Sequence, residues 1–348
     1  MKNLPATNFQ VLLPHEFLDD VAIEAKNAKY RVWAQSMDVV SGELTKKLFS
    51  ILEKKSHEGL DSRLHIDYYS LLVSDGNFNY LMKFNKKFKN EKGHLLLASR
   101  LLFERLEKNG VKVLYTNPPG ILEKIFPFKG RNHMKIVIID NNAWIGGVNF
   151  NDWNYNGNDY MVKLTDPKIV SHIATLFKKI DRQEKFDDYR VKCTDETTLF
   201  VDSGKIGKSI ILNEAIKNIK SAEATVLITS AFFPDTQMVK TLHDRYKNNV
   251  EVKVVAPRPR SLHGIYKFVE KINFEIMRFR KLNFPTKLIR TPHHAKMLIV
   301  DRKTAMFGSH NFSGRGVTMG TGEVAFTSTN KTLINNLLEF FDNTYKKA

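Results

Sequence analysis

The sequence predicts an α/β protein built from two tandem units, each a mixed β-sheet flanked by helices. The units are expected to be related by a pseudo-two-fold axis, with one shared site at their interface. Three observations carry this expectation. Apolar residues alternate between the strand period and the helix period, the pattern of sheets covered by helices. The order strand, helix, strand and H-x-K hairpin occurs twice within 348 residues. The composition, 42% apolar and 26% charged, is that of a globular chain and excludes a disordered or fibrous one.

Taken in order, residues 28–36 read as a helix end running into a buried strand. An amphipathic helix is expected over 44–54 and a strand over 63–68. The second half answers with 222–230, 238–246 and 250–255. Between them, 181–208 breaks the periodicity with Asp187-Asp188 and Ser203-Gly204, which divides the chain into units 1–185 and 186–348.

The hairpins are the most specific feature. The first reads His133-Met134-Lys135, four apolar residues, then Asp140; the second reads His294-Ala295-Lys296, four apolar residues, then Asp301. In a chain of this composition the pattern H-x-K-x4-D should arise by chance fewer than about 0.1 times, so a matched pair is a strong signal. Each hairpin continues into a glycine-led turn, Gly146-Gly147-Val148-Asn149 and Gly308-Ser309-His310-Asn311. Each then meets an acidic residue before a short apolar run, Asp159 in the first copy and Glu323 in the second.

Residues two apart on a strand share a face, so His133 and Lys135 point one way, as do His294 and Lys296, while Met134 and Ala295 face a core. Small residues after each hairpin would let a ligand approach the backbone. An imidazole is a nucleophile or proton donor near neutral pH. The neighbouring ammonium disfavours a metal cation and favours an anion, so neither metal nor cofactor is expected. Lys135, Lys296, Asn149, Ser309 and Asn311 would cradle anionic oxygens. Two such faces brought together suit phosphodiester cleavage: one histidine attacks phosphorus and the other protonates the leaving alcohol. The residues leave open which does which. Asp159 and Glu323 would accept hydrogen bonds from the imidazoles and fix their tautomers. Asp140 and Asp301, which close the two motifs, are counted with the catalytic set. His15, His57, His65, His94 and His243 have no such companions and read as structural.

With these motifs the sequence resembles the phospholipase D superfamily, defined by two HxKx4D motifs with downstream Gly-Gly/Ser-x-Asn. Residues 132–149 with Asn158-Asp159 resemble the cardiolipin synthase branch, as does Ser230-Ala231-Phe232-Phe233-Pro234-Asp235. The resemblance implies a phosphohistidine intermediate, no metal requirement, and transfer of the phosphoryl-linked group to water or an alcohol. By analogy it makes His133 the nucleophile and His294 the general acid and base. Two departures stand out: Asn149 falls one position early relative to Asn311, and His310 takes the place of a small residue.

Charge suggests the partner. Fifty-four Lys and Arg against thirty-seven Asp and Glu give +17, a surplus that attracts an anionic phospholipid surface or nucleic acid. Two stretches interleave cations with aromatics, 83–89 and 267–281; as helices, both could press apolar side chains into a bilayer. Phe126, Pro127 and Phe128 would shape an entrance for acyl chains. The single cysteine excludes a disulfide framework. No membrane-spanning run or secretory signal is read, so a cytoplasmic protein, peripheral on the inner membrane face, is expected. The expected function is phosphatidyl transfer or hydrolysis on anionic phospholipids. A metal-independent endonuclease is the first alternative and an inactive polyanion-binding scaffold the second.

Overall fold

A computed structural model describes residues 8–74, 77–78, 86–118, 129–234, 236–259 and 264–348. Residues 83–85, 126–128 and Asp235 lie outside the described residues, as do the side chains of 86–89.

The first half begins with β1 (Phe9–Leu12), α1 (Pro14–Lys26), β2 (Arg31–Ser36), α2 (Glu43–His57) and β3 (Asp61–Asp67). Short pieces follow, α3 (Tyr69–Leu72), β4 (Val73–Ser74) and β5 (Asn77–Phe78), then α4 (Lys86–Lys108) and β6 (Lys112–Thr116). It closes with β7 (Ile136–Ile139), β8 (Asn142–Gly146), α5 (Asp152–Tyr155), β9 (Met161–Leu164) and α6 (Pro167–Asp181). The second half opens with β10 (Tyr189–Lys192), β11 (Thr197–Ser203), α7 (Ile210–Lys220), β12 (Thr225–Thr229), α8 (Thr236–Lys247) and β13 (Glu251–Pro257). It continues through α9 (Gly264–Phe279), β14 (Thr286–Ile289), β15 (Met297–Val300) and β16 (Thr304–Gly308). It ends with α10 (Gly314–Met319), β17 (Gly322–Ser328) and α11 (Lys331–Lys347).

The two main sheets run β1-β9-β8-β7-β2-β3-β6 and β10-β11-β17-β16-β15-β12-β13-β14. With β10 set aside they match strand for strand, so the repeat read in the sequence is a repeat of topology. β2, β3 and β6 pair in parallel, as do β12, β13 and β14, while the hairpins β7-β8 and β15-β16 join each sheet antiparallel. All four residues of β7 and of β15 are buried, which explains their unbroken apolar run: helices or the other half cover both faces. Local signals set the helix starts. Asp166 caps α6 ahead of a proline, Ser209 caps α7 and Asn330 caps α11, each side chain accepting from backbone N–H groups of the first turn.

One core cluster belongs to both halves. Ile136, Ile145 and Val162 pack with Met297, Phe307 and Val324, flanked by Phe177 of α6 and Leu337 of α11. Two further clusters sit beneath the remaining helices of each half.

The chain passes from the first sheet to the second between Asp181, where α6 ends, and Tyr189, where β10 begins; residues 181–208 also carry β10 and β11, which pair as a hairpin at the edge of the second sheet. Each half also inserts a helix and a strand, α4-β6 or α9-β14, between its second long strand and the hairpin. Frequent lysines in those helices blur the apolar period.

Candidate active site

His133 and Lys135 lead into β7, and His294 and Lys296 lead into β15, in the residues just before each strand. The antiparallel register Thr229↔Met297 puts the second motif at the carboxyl end of β12 and β13, and Gln35↔Ile136 does the same for the first. Met134 and Ala295, between each His and Lys, are buried in the shared core, as the strand period required. The halves therefore meet motif to motif.

The two imidazoles face each other with ring centroids 6.3 Å apart and planes at 63°. Each is held by the opposite half. His133 Nδ1 lies 3.0 Å from the Glu323 carboxylate and 3.1 Å from the Ser309 carbonyl. His294 Nδ1 lies 3.1 Å from Asp159 Oδ2 and 2.8 Å from the Gly147 carbonyl. Both His133 partners are acceptors only, so its Nδ1 carries the hydrogen and its Nε2 is left with its lone pair; His294 Nδ1 has the same pair of oxygen acceptors, with Lys296 Nζ as a third neighbour at 2.8 Å, and is assigned the same tautomer. The backbone repeats this exchange. His133 N–H donates to the Gly322 carbonyl at 2.9 Å, and His294 N–H donates to the Asn158 carbonyl at 3.1 Å.

Both lysines are fully buried. Lys135 Nζ donates to the His133 carbonyl at 2.5 Å; Lys296 Nζ donates to the His294 carbonyl and lies 2.8 Å from His294 Nδ1. Burial lowers Lys135 to about 8 and Lys296 to about 7, against the pull of the Glu323 and Asp159 carboxylates. Burial, reinforced by the lysine ammoniums, holds His133 well below the ordinary imidazole range. Burial and then Lys296 lower His294 to about 3. Burial raises Glu323. Burial also pushes Asp159 upward, but the His294 hydrogen bond and the Lys296 charge together outweigh it and leave it low. The site thus brings two buried neutral imidazoles, two buried lysines and two buried carboxylates together at one point.

The remaining expected residues fall elsewhere. Asp140 and Asp301 stand at the far ends of β7 and β15 with φ of 47° and 51°. Asp140 accepts from the N–H groups of Lys29, Tyr30 and Arg31, and Asp301 from those of Glu223, Ala224 and Thr225. Each carboxylate pins the chain that enters the neighbouring strand, a strand's length from the imidazoles, so neither belongs to the reacting groups. Ser309, expected to touch substrate, gives its hydroxyl to Glu323 and receives the Val324 N–H at 3.1 Å. It holds the carboxylate instead. Asn149 accepts from Ser36 Oγ at 3.2 Å and reaches Asn154 Oδ1 at 3.4 Å. Ser230 answers in the other half, donating to the Asn311 carbonyl at 2.6 Å, while Asn311 Oδ1 is buried with no hydrogen-bond partner. Gly147 serves its own carboxylate and not a ligand: a Cβ there would meet Asp159 Oδ1 at 2.3 Å.

Other groups surround the site, and of these only His310 was singled out in the sequence. Buried Asp67, at the end of β3, accepts from Arg131 at 3.0 Å and from the Asn132 N–H at 2.6 Å, fixing the approach to His133. His293 plays the matching part, bonded to Thr229 Oγ1 at 2.6 Å and Asn158 Nδ2 at 2.9 Å. Trp153, partly exposed, meets the His294 ring edge to face with centroids 6.2 Å apart. Buried His310 accepts the Phe312 N–H at 2.9 Å on Nδ1, and burial lowers it to about 4. The only signals for the others in the sequence were a carboxylate ending an apolar strand and the doubled His293-His294.

The chain is 23% identical over 333 residues to a cardiolipin synthase of Listeria monocytogenes serotype 4a, covering 90% of this chain and 63% of that protein. It is 23% identical over 340 residues to cardiolipin synthase 2 of Staphylococcus epidermidis, covering 90% of this chain and 62% of that one. It therefore spans less than two thirds of the length of these relatives. Its fold is that of the phosphatidylserine synthase of Haemophilus influenzae Rd KW20, with a TM-score of 0.71, 13% identity, and coverage of 99% of this chain and 86% of the other. Among the described residues, no helix is long and apolar enough to cross a membrane. The family model described as the cardiolipin synthase PLD-like domain matches residues 22–180 and 215–345, across both halves, and the chain belongs to that family.

Proposed function

We propose that the chain is a phosphodiester-cleaving enzyme that acts on anionic phospholipids by phosphatidyl transfer or hydrolysis through a phosphohistidine intermediate. The observation that carries this reading is the crossed pairing. Two buried imidazoles lie 6.3 Å apart, each with Nδ1 held by the other half's carboxylate, which leaves Nε2 of each ring for substrate. The names of the relatives, cardiolipin synthase and phosphatidylserine synthase, favour a phospholipid over a nucleic acid.

In this mechanism the His133 Nε2 lone pair attacks phosphorus, and the bond from phosphorus to the leaving oxygen breaks. His294, protonated on Nε2, delivers its proton to that oxygen, so a neutral alcohol departs. The acceptor, an alcohol or water, then gives its proton back to His294 Nε2 as its oxygen displaces His133 from phosphorus. Lys135 and Lys296 neutralise the non-bridging oxygens throughout. The free site holds His294 neutral; the bound phosphodiester anion supplies the charge that favours its imidazolium. Glu323 and Asp159 keep both rings oriented through the cycle. The enzyme is placed at the cytoplasmic face of the membrane, where such lipids are reached.

Incubation with phosphatidylglycerol vesicles and, separately, with single- and double-stranded DNA, each in EDTA, tests the reading. Cardiolipin or phosphatidic acid as product supports it. Cut DNA with intact lipid assigns the nuclease activity instead, and binding without turnover of either leaves a scaffold.

A further inference from the structure

Helix α9 is apolar on two opposite sides. One side is fixed to the protein: Phe274 packs 4.6 Å from the Phe233 ring, Met277 joins the core, and buried Glu270 pairs with Arg315 at 2.5 Å. The other side carries Phe268, Ile272, Ile276 and Phe279, which at steps of three and four residues form one continuous row. These four are 63, 41, 45 and 87% exposed. Scattered exposed apolar residues are ordinary, whereas a row of four large ones on a helix whose core face is already satisfied calls for a partner. Because Phe274, Met277 and Glu270 hold the opposite side, the helix cannot turn the row inward.

Cations border the row. Lys267, Lys271 and Arg278 run along one flank and Arg280 lies on the other, all exposed; Glu275 is the acidic exception, 4.0 Å from Arg278. The helix related to α9 by the internal repeat, α4, exposes Leu97 and Leu101 one turn apart, with exposed Arg100 beside them. Topology sets the location. α9 leaves β13 at the sheet end where Lys296 stands, and Arg315 links it to the helix that follows Asn311. From there the row runs back along the sheet toward the start of β14, with Phe268 nearest the end where Lys296 stands and Phe279 farthest from it.

We propose that this α9 face docks on an anionic phospholipid bilayer, with Phe268, Ile272, Ile276 and Phe279 entering the headgroup and acyl boundary and the flanking Lys and Arg meeting lipid phosphates. The proposal deepens the phospholipid reading above and rests on it. Of the aromatic and apolar residues in 267–281, Phe268 and Phe279 project and are joined by Ile272 and Ile276, while Phe274 and Met277 pack against the protein. Charge complementarity selects the bilayer, since the row is rimmed by cations on a chain of net charge +17.

The test is co-sedimentation with vesicles of phosphatidylglycerol and phosphatidylcholine, against vesicles of phosphatidylcholine alone, using the whole chain and its Ile276→Glu/Phe279→Glu variant. Both positions are exposed, and an unchanged thermal midpoint verifies folding. Wild-type protein should bind the anionic vesicles, and bind them less as salt rises. The variant should lose about a hundredfold in vesicle affinity and in vesicle turnover. Its turnover of a short-chain phosphatidylglycerol dispersed below its micelle concentration should stay within about twofold of wild type. Vesicle binding lost without turnover of either lipid by wild type upholds the docking face and rejects the proposed activity. Equal vesicle binding by variant and wild type overturns the inference. So does a wild-type dimer that the variant splits, because the row is then covered by a second copy.

Discussion

Replacing Glu323 by Gln removes one charge from the site and almost nothing from its shape. The carboxylate lies 3.0 Å from His133 Nδ1 and also receives the Ser309 hydroxyl, so the amide inherits both neighbours. A hydrogen bond to a charged group contributes about 1.5–3 kcal/mol, which sets the loss at about 10- to 150-fold if only ring orientation is weakened. The loss is larger if the amide presents N–H to Nδ1. The ring then moves its hydrogen to Nε2, the nucleophilic lone pair disappears, and the penalty approaches about ten-thousandfold, the scale of a tautomer error in a hydrolytic triad. Folding should not suffer, because burial already disfavours the Glu323 charge and the neutral isostere relieves that cost. The assay is single-turnover formation of the phosphoenzyme, paired with thermal unfolding. An E323Q rate within about threefold of wild type, at an unchanged thermal midpoint, would refute the idea that the crossed carboxylate sets the ring.

Lys135→Met and Lys296→Met should each lower kcat by at least about a hundredfold, the effect of removing one donor from an anion-stabilising site; near-normal rates in both would place the lysines outside the cradle. The pH profile follows from the same groups: kcat/KM should fall as pH rises through about 7 to 8, because free enzyme loses first the Lys296 and then the Lys135 proton. At saturating substrate that limb should move to higher pH, since the bound phosphate anion favours the ammonium forms; a limb in the opposite sense would contradict the assignment. Asp301→Asn should spare kcat within about threefold yet lower stability by about 1–2 kcal/mol, read from denaturant midpoints, because three backbone N–H groups lose a charged acceptor.

Much of this architecture was legible because duplication supplied its own control. The second hairpin vouches for the first, and the period of two around Met134 and Ala295 places His and Lys together. Asp159 and Glu323 were also found, as the acidic residues after each turn. Their crossing was not legible: nothing in either half's sequence says that its carboxylate serves the other half's imidazole. The motif's own aspartates misled for a related reason. A fixed spacing records a constraint without naming it, and for Asp140 and Asp301 the constraint is a left-handed turn that pins a neighbouring strand. Asp67, Arg131 and His293 escaped because buried positioning networks join residues distant in the chain. In 267–281 the interleaved cations and aromatics were legible, but a helix apolar on two sides needs its packing before the free row can be told from the buried one.

The central claim is that the two imidazoles work on one phosphorus from opposite halves. Its most direct measurement uses a phosphatidyl ester with a nitrophenol leaving group, labelled on phosphorus, reacted with wild type, His133→Ala and His294→Ala, then acid-quenched and mapped. This leaving group needs no proton, so His294→Ala should still form the intermediate and accumulate label on His133, its breakdown stalled for want of a base. His133→Ala should carry none. Label on another residue, or none in His294→Ala while wild type turns over normally, would contradict the account.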